Sequence, residues 1–487
     1  MKNYQNRNIC IFWGILLFIA YSLIFVYVEN TGKWDLFRFL GVFSYIQFAY
    51  TIISWHKITK GWYDGYIVFT IAFYLFSLGQ SFLELIGSVD ENFSLILKFG
   101  IRPKSYFEGV YLSLSFLLFW HMGALMSYRP TSPNLRSFVG NELNALKKVG
   151  LIGICLTFPS YSYNMINNMM IVSTSGYMGL YDVENLQTGM NAIHRAIGDY
   201  FVPFLIILLV YSEKTKRWRG LLYSIALITV CIPPFFVGAR TNSAIIISII
   251  VLIYILFNRL SIKWAILTFA VAYISLNMLI VVRNIRGDIS TTSIYNAFNE
   301  NSNTSSPISS VVSEMGFTFY PIAKTIEIKN SPHEEFLYGK SFLWSFTTIV
   351  PNLNFWDIHP AKKYANMSDW ITKKLNFTYG IGYSLIAEAY ANFGLFGFVF
   401  MFAYGYLLTR LFSASSKYNA SKNLISLCVS LIILWFLIRT VRNNFLDTVR
   451  YMTFYVLPIY WMLKRIAKNT KSLKRTSASY DYDRLPA

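Results

Sequence analysis

Runs of about 20 predominantly apolar residues recur from one end of the sequence to the other, each long enough to cross the hydrocarbon layer as a helix. Only 14% of the 487 residues are charged, well below the roughly one quarter usual in soluble domains. The pattern predicts an all-α polytopic membrane protein with about twelve transmembrane helices. They are expected at 9–28, 36–55, 62–86, 105–127, 149–170, 193–211, 220–238, 241–258, 263–282, 382–409, 424–439 and 450–464. The pair Pro233-Pro234 should break or kink the seventh, because two consecutive residues lack an N–H donor. The basic start from Lys2 is followed by no small-residue cleavage site, so the first span is expected to be retained. Cys10, Cys155, Cys231 and Cys428 all fall inside apolar runs and read as packing residues rather than bridges or metal ligands.

One stretch stands apart. Arg283–Gly380 is the only long segment that is neither strongly apolar nor a short connector, and a loop of that length is usually functional. It divides the chain into 1–282 (nine spans), 283–380 (one large extracytoplasmic loop), 381–465 (three spans) and a basic tail, 466–487. Within it, the Ser/Thr/Asn tract 301–306 reads as flexible. The apolar run in Ser309–Ile328 reads as an amphipathic or re-entrant helix on the outer surface. Tyr320, Phe336, Tyr338, Trp344, Trp356, Tyr364 and Trp370 could stack on sugar rings or form an interfacial aromatic belt.

Lys and Arg collect in alternate loops, and those loops together carry the whole net charge of +19. By the positive-inside rule they are cytoplasmic, as are both termini, and 283–380 faces outward. The basic balance thus reflects topology and anionic lipid rather than nucleic acid. Against that rule, several outward membrane edges carry arginine: Arg195, Arg240, Arg283 with Arg286, and Arg439 with Arg442 and Arg450. The i,i+3 pairs share a helix face. Edge charges are costly and tend to face cavities, and guanidinium matches phosphate with a fork of two hydrogen bonds. Taken singly, each arginine could snorkel to headgroups or pair with an acid such as Asp447 or Glu388. As a set they point to a shared anionic ligand, a diphosphate at the outer leaflet.

Two short motifs carry a family resemblance. Gly238-Ala239-Arg240-Thr241-Asn242 is similar to the Gly-x-Arg element of Wzy-type O-antigen and oligosaccharide repeat-unit polymerases. Tyr379-Gly380-Ile381-Gly382, leading into Glu388, Asn392, Gly394 and Gly397, resembles the Gly-rich turn and helix start that follow the family's large outer loop. The resemblance implies a GT-C-like glycosyltransferase architecture in the bacterial inner membrane, with its active site facing the periplasm. It implies transfer of a glycan from one undecaprenyl diphosphate carrier to a repeat unit on a second. The family's outer arginines map onto Arg240, Arg283, Arg286, Arg439 and Arg442, and less directly onto Arg195 and Arg450. The expected partners are undecaprenyl-diphosphate-linked donor and acceptor glycans, membrane lipid, and in some systems a chain-length regulator protein.

Breaking a sugar–diphosphate bond requires charge stabilisation on the leaving group, which fixed arginines supply without a metal. The only Asp-x-Asp match, Asp481-Tyr482-Asp483, lies in the tail on the opposite side, so no metal and no cofactor is expected. If the acceptor hydroxyl needs a base, Glu388 leads the candidates, with His359 next; a structural role as an arginine partner fits Glu388 equally well. His333, Glu334, Glu335, Asp357 and His194 complete the set. The competing readings are a lipid-linked oligosaccharide flippase or other transporter, and an O-antigen ligase. Transporters favour repeats and midplane charge, whereas here the arginines collect at one membrane face.

Overall fold

The structure, a computed structural model, describes residues 2–128, 139–176, 179–180, 190–236, 240–258, 306–350, 352, 355–377, 379–415 and 423–482. Among them there are helices, turns and loops but no strand. Among the described residues, six helices are long and apolar enough to cross a membrane: Gln5–Thr31, Gly65–Ile86, Pro103–Ser127, Asn141–Ser175, Met190–Thr215 and Leu385–Ser415. Arg219–Cys231, Asn242–Phe257 and Leu424–Thr440 are apolar but shorter. The expected span at 263–282 and the start of the large loop lie outside the described residues.

In chain order the principal helices are α1 (Lys2–Thr31), α2 (Phe37–Thr59), α3 (Gly65–Ile86), α4 (Pro103–Ser127), α5 (Val139–Ser175), α6 (Met190–Gly198), α7 (Phe201–Thr215), α8 (Arg219–Ala226) and α9 (Arg240–Phe257). After the gap come α10 (Pro307–Gly316), α11 (Phe319–Lys329), α12 (Lys340–Ser345) and α13 (Met367–Lys374). The chain then forms α14 (Leu385–Phe393), α15 (Gly397–Phe412), α16 (Leu424–Thr440), α17 (Phe445–Tyr451) and α18 (Leu457–Tyr482). The proline pair acts as expected: α8 passes into a π turn at Leu227–Cys231, bends at Ile232 and restarts for one turn at Pro233–Phe236.

The helices differ in what surrounds them. α1 turns Phe12, Trp13 and Leu23 outward, as a helix facing lipid would. α16 is apolar on every side and is buried along nearly its whole length, which makes it the axial helix of the second half. It packs on α3, α7, α9, α15 and α18. The tightest crossing joins α4 and α15. A Cβ added to Gly123 would lie 2.0 Å from the Phe402 carbonyl oxygen, and one added to Gly405 would lie 2.0 Å from that of Trp120. Small residues let the two backbones touch, the usual device where lipid removes the hydrophobic drive between helices.

The apolar run after the gap does not lie on the surface. It forms α10 and α11, which pack into the bundle against α3, α4 and α14. Phe319, Ile322, Ala323 and Ile326 are buried. α10 meets α3 backbone to backbone: a Cβ on Gly316 would sit 2.6 Å from the Gln80 nitrogen. Polar clamps fix the register. Gln80 Nε2 donates to the Ser313 carbonyl at 2.9 Å, Ser310 Oγ donates to Asp90 Oδ2 at 2.7 Å, and the Asp90 N–H donates to Ser313 Oγ at 3.1 Å. Both readings of this run place it on the surface; it is buried instead because Gly79 and Gly316, lacking side chains, open a slot between α3 and α10. Asp90→Ala should lower stability by about 1–3 kcal/mol, the cost of losing the buried bond from Ser310 Oγ to its carboxyl. A lower thermal midpoint of the purified protein, with the helical circular-dichroism signal unchanged, is the expected reading.

Candidate functional site

α16 ends at Thr440, and the four residues Val441–Asn444 turn the chain into α17. This turn and its flanks hold Arg439, Arg442 and Arg450. Arg442 and Arg450 are exposed and Arg439 is half-buried. Arg439 stacks its guanidinium over Trp435, one helical turn back, at 5.0 Å. It lies near Asp447, Tyr451 and Tyr161. Arg450 is paired with Asp447 across 3.4 Å.

The turn is held from below by α14. Glu388 lies in the first turn of that helix, after the N-cap Ser384, whose Oγ accepts the Ile386 N–H at 3.3 Å. Every residue from Leu385 to Asn392 is buried, so the Glu388 carboxyl is carried into the protein with 0% exposure. Both its oxygens are engaged. Ser341 Oγ donates to Oε1 at 2.6 Å, and the Phe445 N–H donates to Oε2 at 2.6 Å. Asn392, one turn further along α14, donates to Ser341 Oγ at 2.7 Å and to the Glu388 carbonyl at 2.8 Å. The Leu337 and Tyr338 N–H groups donate to the carbonyls of Ala391 and Asn392.

A second contact grips the arginine turn itself. The Tyr383 N–H donates to the Arg442 carbonyl at 3.1 Å. Its neighbour Gly382 has φ +73, and a Cβ there would be strained and 3.2 Å from that carbonyl oxygen. The glycine-rich turn before α14 is therefore the surface against which Arg442 rests. Asn444 adds a third tie, donating to Asn366 Oδ1 at 3.1 Å at the N-cap of α13.

The remaining predicted residues fall as follows. Arg195 is exposed on α6, beside His194, whose Nδ1 is 3.1 Å from Ser160 Oγ. Just beyond, Asp199 accepts the Tyr455 hydroxyl at 3.3 Å, which brings the α6–α7 junction to the Arg439 corner. Arg240 opens α9, and its side chain lies outside the described set; Arg283 and Arg286 lie outside the described residues altogether. His359 lies in the segment between α12 and α13, two residues before Ala361, which packs with Leu446 of α17. The Ala361 N–H donates to its Nδ1 at 3.1 Å, which places the ring proton on Nε2, 2.9 Å from the Val350 carbonyl. A base role for His359 would need its Nδ1 bond to open in the substrate complex, whereas Glu388 keeps free lone pairs and would need access to the acceptor, its carboxyl being fully buried. Glu334 is bound to Lys374 and lies 3.9 Å from Lys329.

Lys329 is not among the residues that the sequence singles out. Its side chain is 2% exposed, and its ammonium bonds the Glu335 carbonyl and sits 5.3 Å from the Trp370 ring. Burial pushes it below the usual lysine range, while Glu334 pulls it back. Trp370 thereby serves a buried cation. Ser341 also escapes sequence reasoning. Asn392 enters it only as part of the motif after the outer loop, four residues beyond Glu388 on the same helix face. Ser341 lies 47 residues away and carries no sequence signal.

No curated protein and no solved structure matches this chain. The family model for the O-antigen polysaccharide polymerase Wzy matches residues 7–470, nearly its whole length. With a match of that extent over an all-helical chain rich in apolar spans, the protein belongs to the Wzy family of O-antigen polysaccharide polymerases, multi-pass membrane proteins.

Proposed function

We propose that the protein joins oligosaccharide repeat units carried on undecaprenyl diphosphate, at the outer face of the bacterial inner membrane, by glycosyl transfer without a metal. Arg442, Arg439 and Arg450 hold the diphosphate of one carrier, with Arg195, Arg240, Arg283 and Arg286 completing the cationic edge. An acceptor hydroxyl from the second carrier attacks the anomeric carbon of the donor glycan. The C–O bond to the diphosphate breaks with its electron pair, the acceptor's hydroxyl proton passes to solvent, and the guanidinium groups neutralise the charge left on the departing oxygen. In this reading both termini are cytoplasmic and 283–380 lies outside.

The single observation that supports it is the placing of Arg439, Arg442 and Arg450 on one short turn and the two helix ends that flank it. That turn is gripped from beneath by Tyr383 and Glu388, and the α6–α7 junction following Arg195 lies at the same corner. A lipid-facing or purely structural set of arginines would not need its backbone fixed so fully. Deleting the gene and inspecting surface glycan tests the assignment. The expected result is loss of the ladder, leaving one capped repeat unit. A cytoplasmic pool of carrier-linked units with no surface glycan would mean a flippase, and a full-length carrier-linked polymer would mean a ligase.

A further inference from the structure

We propose that Glu388, Ser341 and Asn392 form a buried latch that sets the position of the arginine turn, so that Glu388 acts as a positioning residue for Arg442. This rests on the diphosphate reading above. The latch joins segments far apart in sequence. Ser341 belongs to α12, Glu388 and Asn392 to α14, and the captured Phe445 N–H to the first residue of α17.

Three features give the latch its role. First, the N-terminus of α17 lacks its ordinary cap: Asn444 makes no side-chain bond there, its amide donating instead to Asn366. The first N–H groups of a helix have no partner within it, and Glu388 Oε2 takes that of Phe445 at 2.6 Å. Second, each carboxylate oxygen takes one donor, the Ser341 hydroxyl on Oε1 and the Phe445 N–H on Oε2. Ser341 Oγ gives its proton to Oε1 and accepts from Asn392 Nδ2, so its rotamer is set from both sides. Third, the same short helix start supplies Tyr383, whose N–H holds the Arg442 carbonyl. Arg442 is thus pinned at its own peptide and again three residues later, both times by residues 383–388. Bidentate recognition of a phosphate demands a fixed fork, and positional tolerance in such sites is small.

A general base and a positioning carboxylate respond differently to Glu388→Gln. A base loses its proton acceptor. In the latch, the amide oxygen that the substitution introduces can still accept the Phe445 N–H, and the new NH2 can donate to the second lone pair of Ser341 Oγ. The test uses the full-length protein purified in detergent and titrated with farnesyl diphosphate, with thermal midpoints recorded in parallel. Glu388→Ala should weaken binding about tenfold, Ser341→Ala about threefold and Glu388→Gln by no more than about threefold, the loss expected when bonds to a charged group are removed. In a double-mutant cycle, Glu388→Ala should add nothing to the loss already caused by Arg442→Ala, because both act through one guanidinium. A role in stability alone would move the midpoint and leave the two losses additive. Unchanged binding in Arg442→Ala would overturn the diphosphate reading itself. Loss in Arg442→Ala with normal binding in Glu388→Ala would overturn only the latch, as would a glutamine variant as weak as alanine. Should Glu388→Ala not fold, the Ser341→Ala and Glu388→Gln titrations decide by the same criteria.

Discussion

Arg442→Ala is expected to collapse the polymer ladder to very short chains and to lower the rate of repeat-unit joining by about 10²- to 10³-fold, the usual cost of removing one fixed donor from a developing anion. Arg442 is the right residue to test first because its backbone is held by the Tyr383 N–H while its side chain is exposed at the turn. Arg442→Lys should fall between wild type and alanine. It restores the charge but presents a compact ammonium on a flexible stem in place of a rigid fork. Arg450→Ala should be milder than Arg442→Ala, because Arg450 shares its charge with Asp447 across 3.4 Å and has less to offer a ligand. Chain length on a gel and turnover of purified lipid-linked repeat unit are the two measurements. Long chains persisting in both Arg442→Ala and Arg439→Ala would remove the arginine turn from the chemistry.

What can be read from the sequence depends on whether the signal is local. α16 is apolar on all sides, and hydropathy alone places it at 424–439, within a residue of Leu424–Thr440. The proline break in α8 is equally local, since the missing N–H donors sit where the bend occurs. Span length is harder to read. Apolar runs near the proline pair and at α16 make helices that are short by membrane standards, α16 having 17 residues, so apolar content and helix length part company there. The run Ser309–Ile328 is legible as helical, but not as buried. Its depth in the bundle is set by Gly79, in a helix far earlier in the chain.

The site shows the same division. Arginines at helix ends and an acid inside a span are visible one by one, because charge beside apolar sequence is conspicuous. Their grouping around Val441–Asn444 follows from backbone contacts that leave no trace in composition: Tyr383 to Arg442, and Phe445 to Glu388. The alternative role expected for Glu388 is pairing with an arginine; among the described residues its contacts are of another kind. Its partners are a hydroxyl and a peptide N–H. Every residue but proline carries a peptide N–H, and serines are scattered throughout the outer stretch, so nothing in the sequence distinguishes Phe445 or Ser341 from their neighbours.

The second large effect is expected far from the chemistry. Gly405→Leu, and equally Gly123→Leu, should abolish recovery of monodisperse protein from detergent, with loss of activity following from loss of fold. At each position even a Cβ would lie 2.0 Å from a backbone oxygen on the opposing helix, and a backbone cannot swing aside as a side chain does. α4 and α15 would have to separate along their whole contact. α4 carries Gly109, against which the Phe319 ring of α11 closes, and Phe116, which meets Gly397 at the start of α15. α14 precedes α15 by only the turn Gly394–Phe396, so a displaced α15 pulls on the helix start that holds Glu388 and Tyr383. Inserting volume into a packed core costs roughly 1–3 kcal/mol when side chains can adjust, and more when they cannot. The matching control is Gly220→Ala at the start of α8, where a new Cβ meets nothing within 4 Å and full recovery is expected. If Gly405→Leu protein were recovered intact and polymerised normally, the α4–α15 crossing could not be as close as described, and the support it gives to the arginine turn would fall with it.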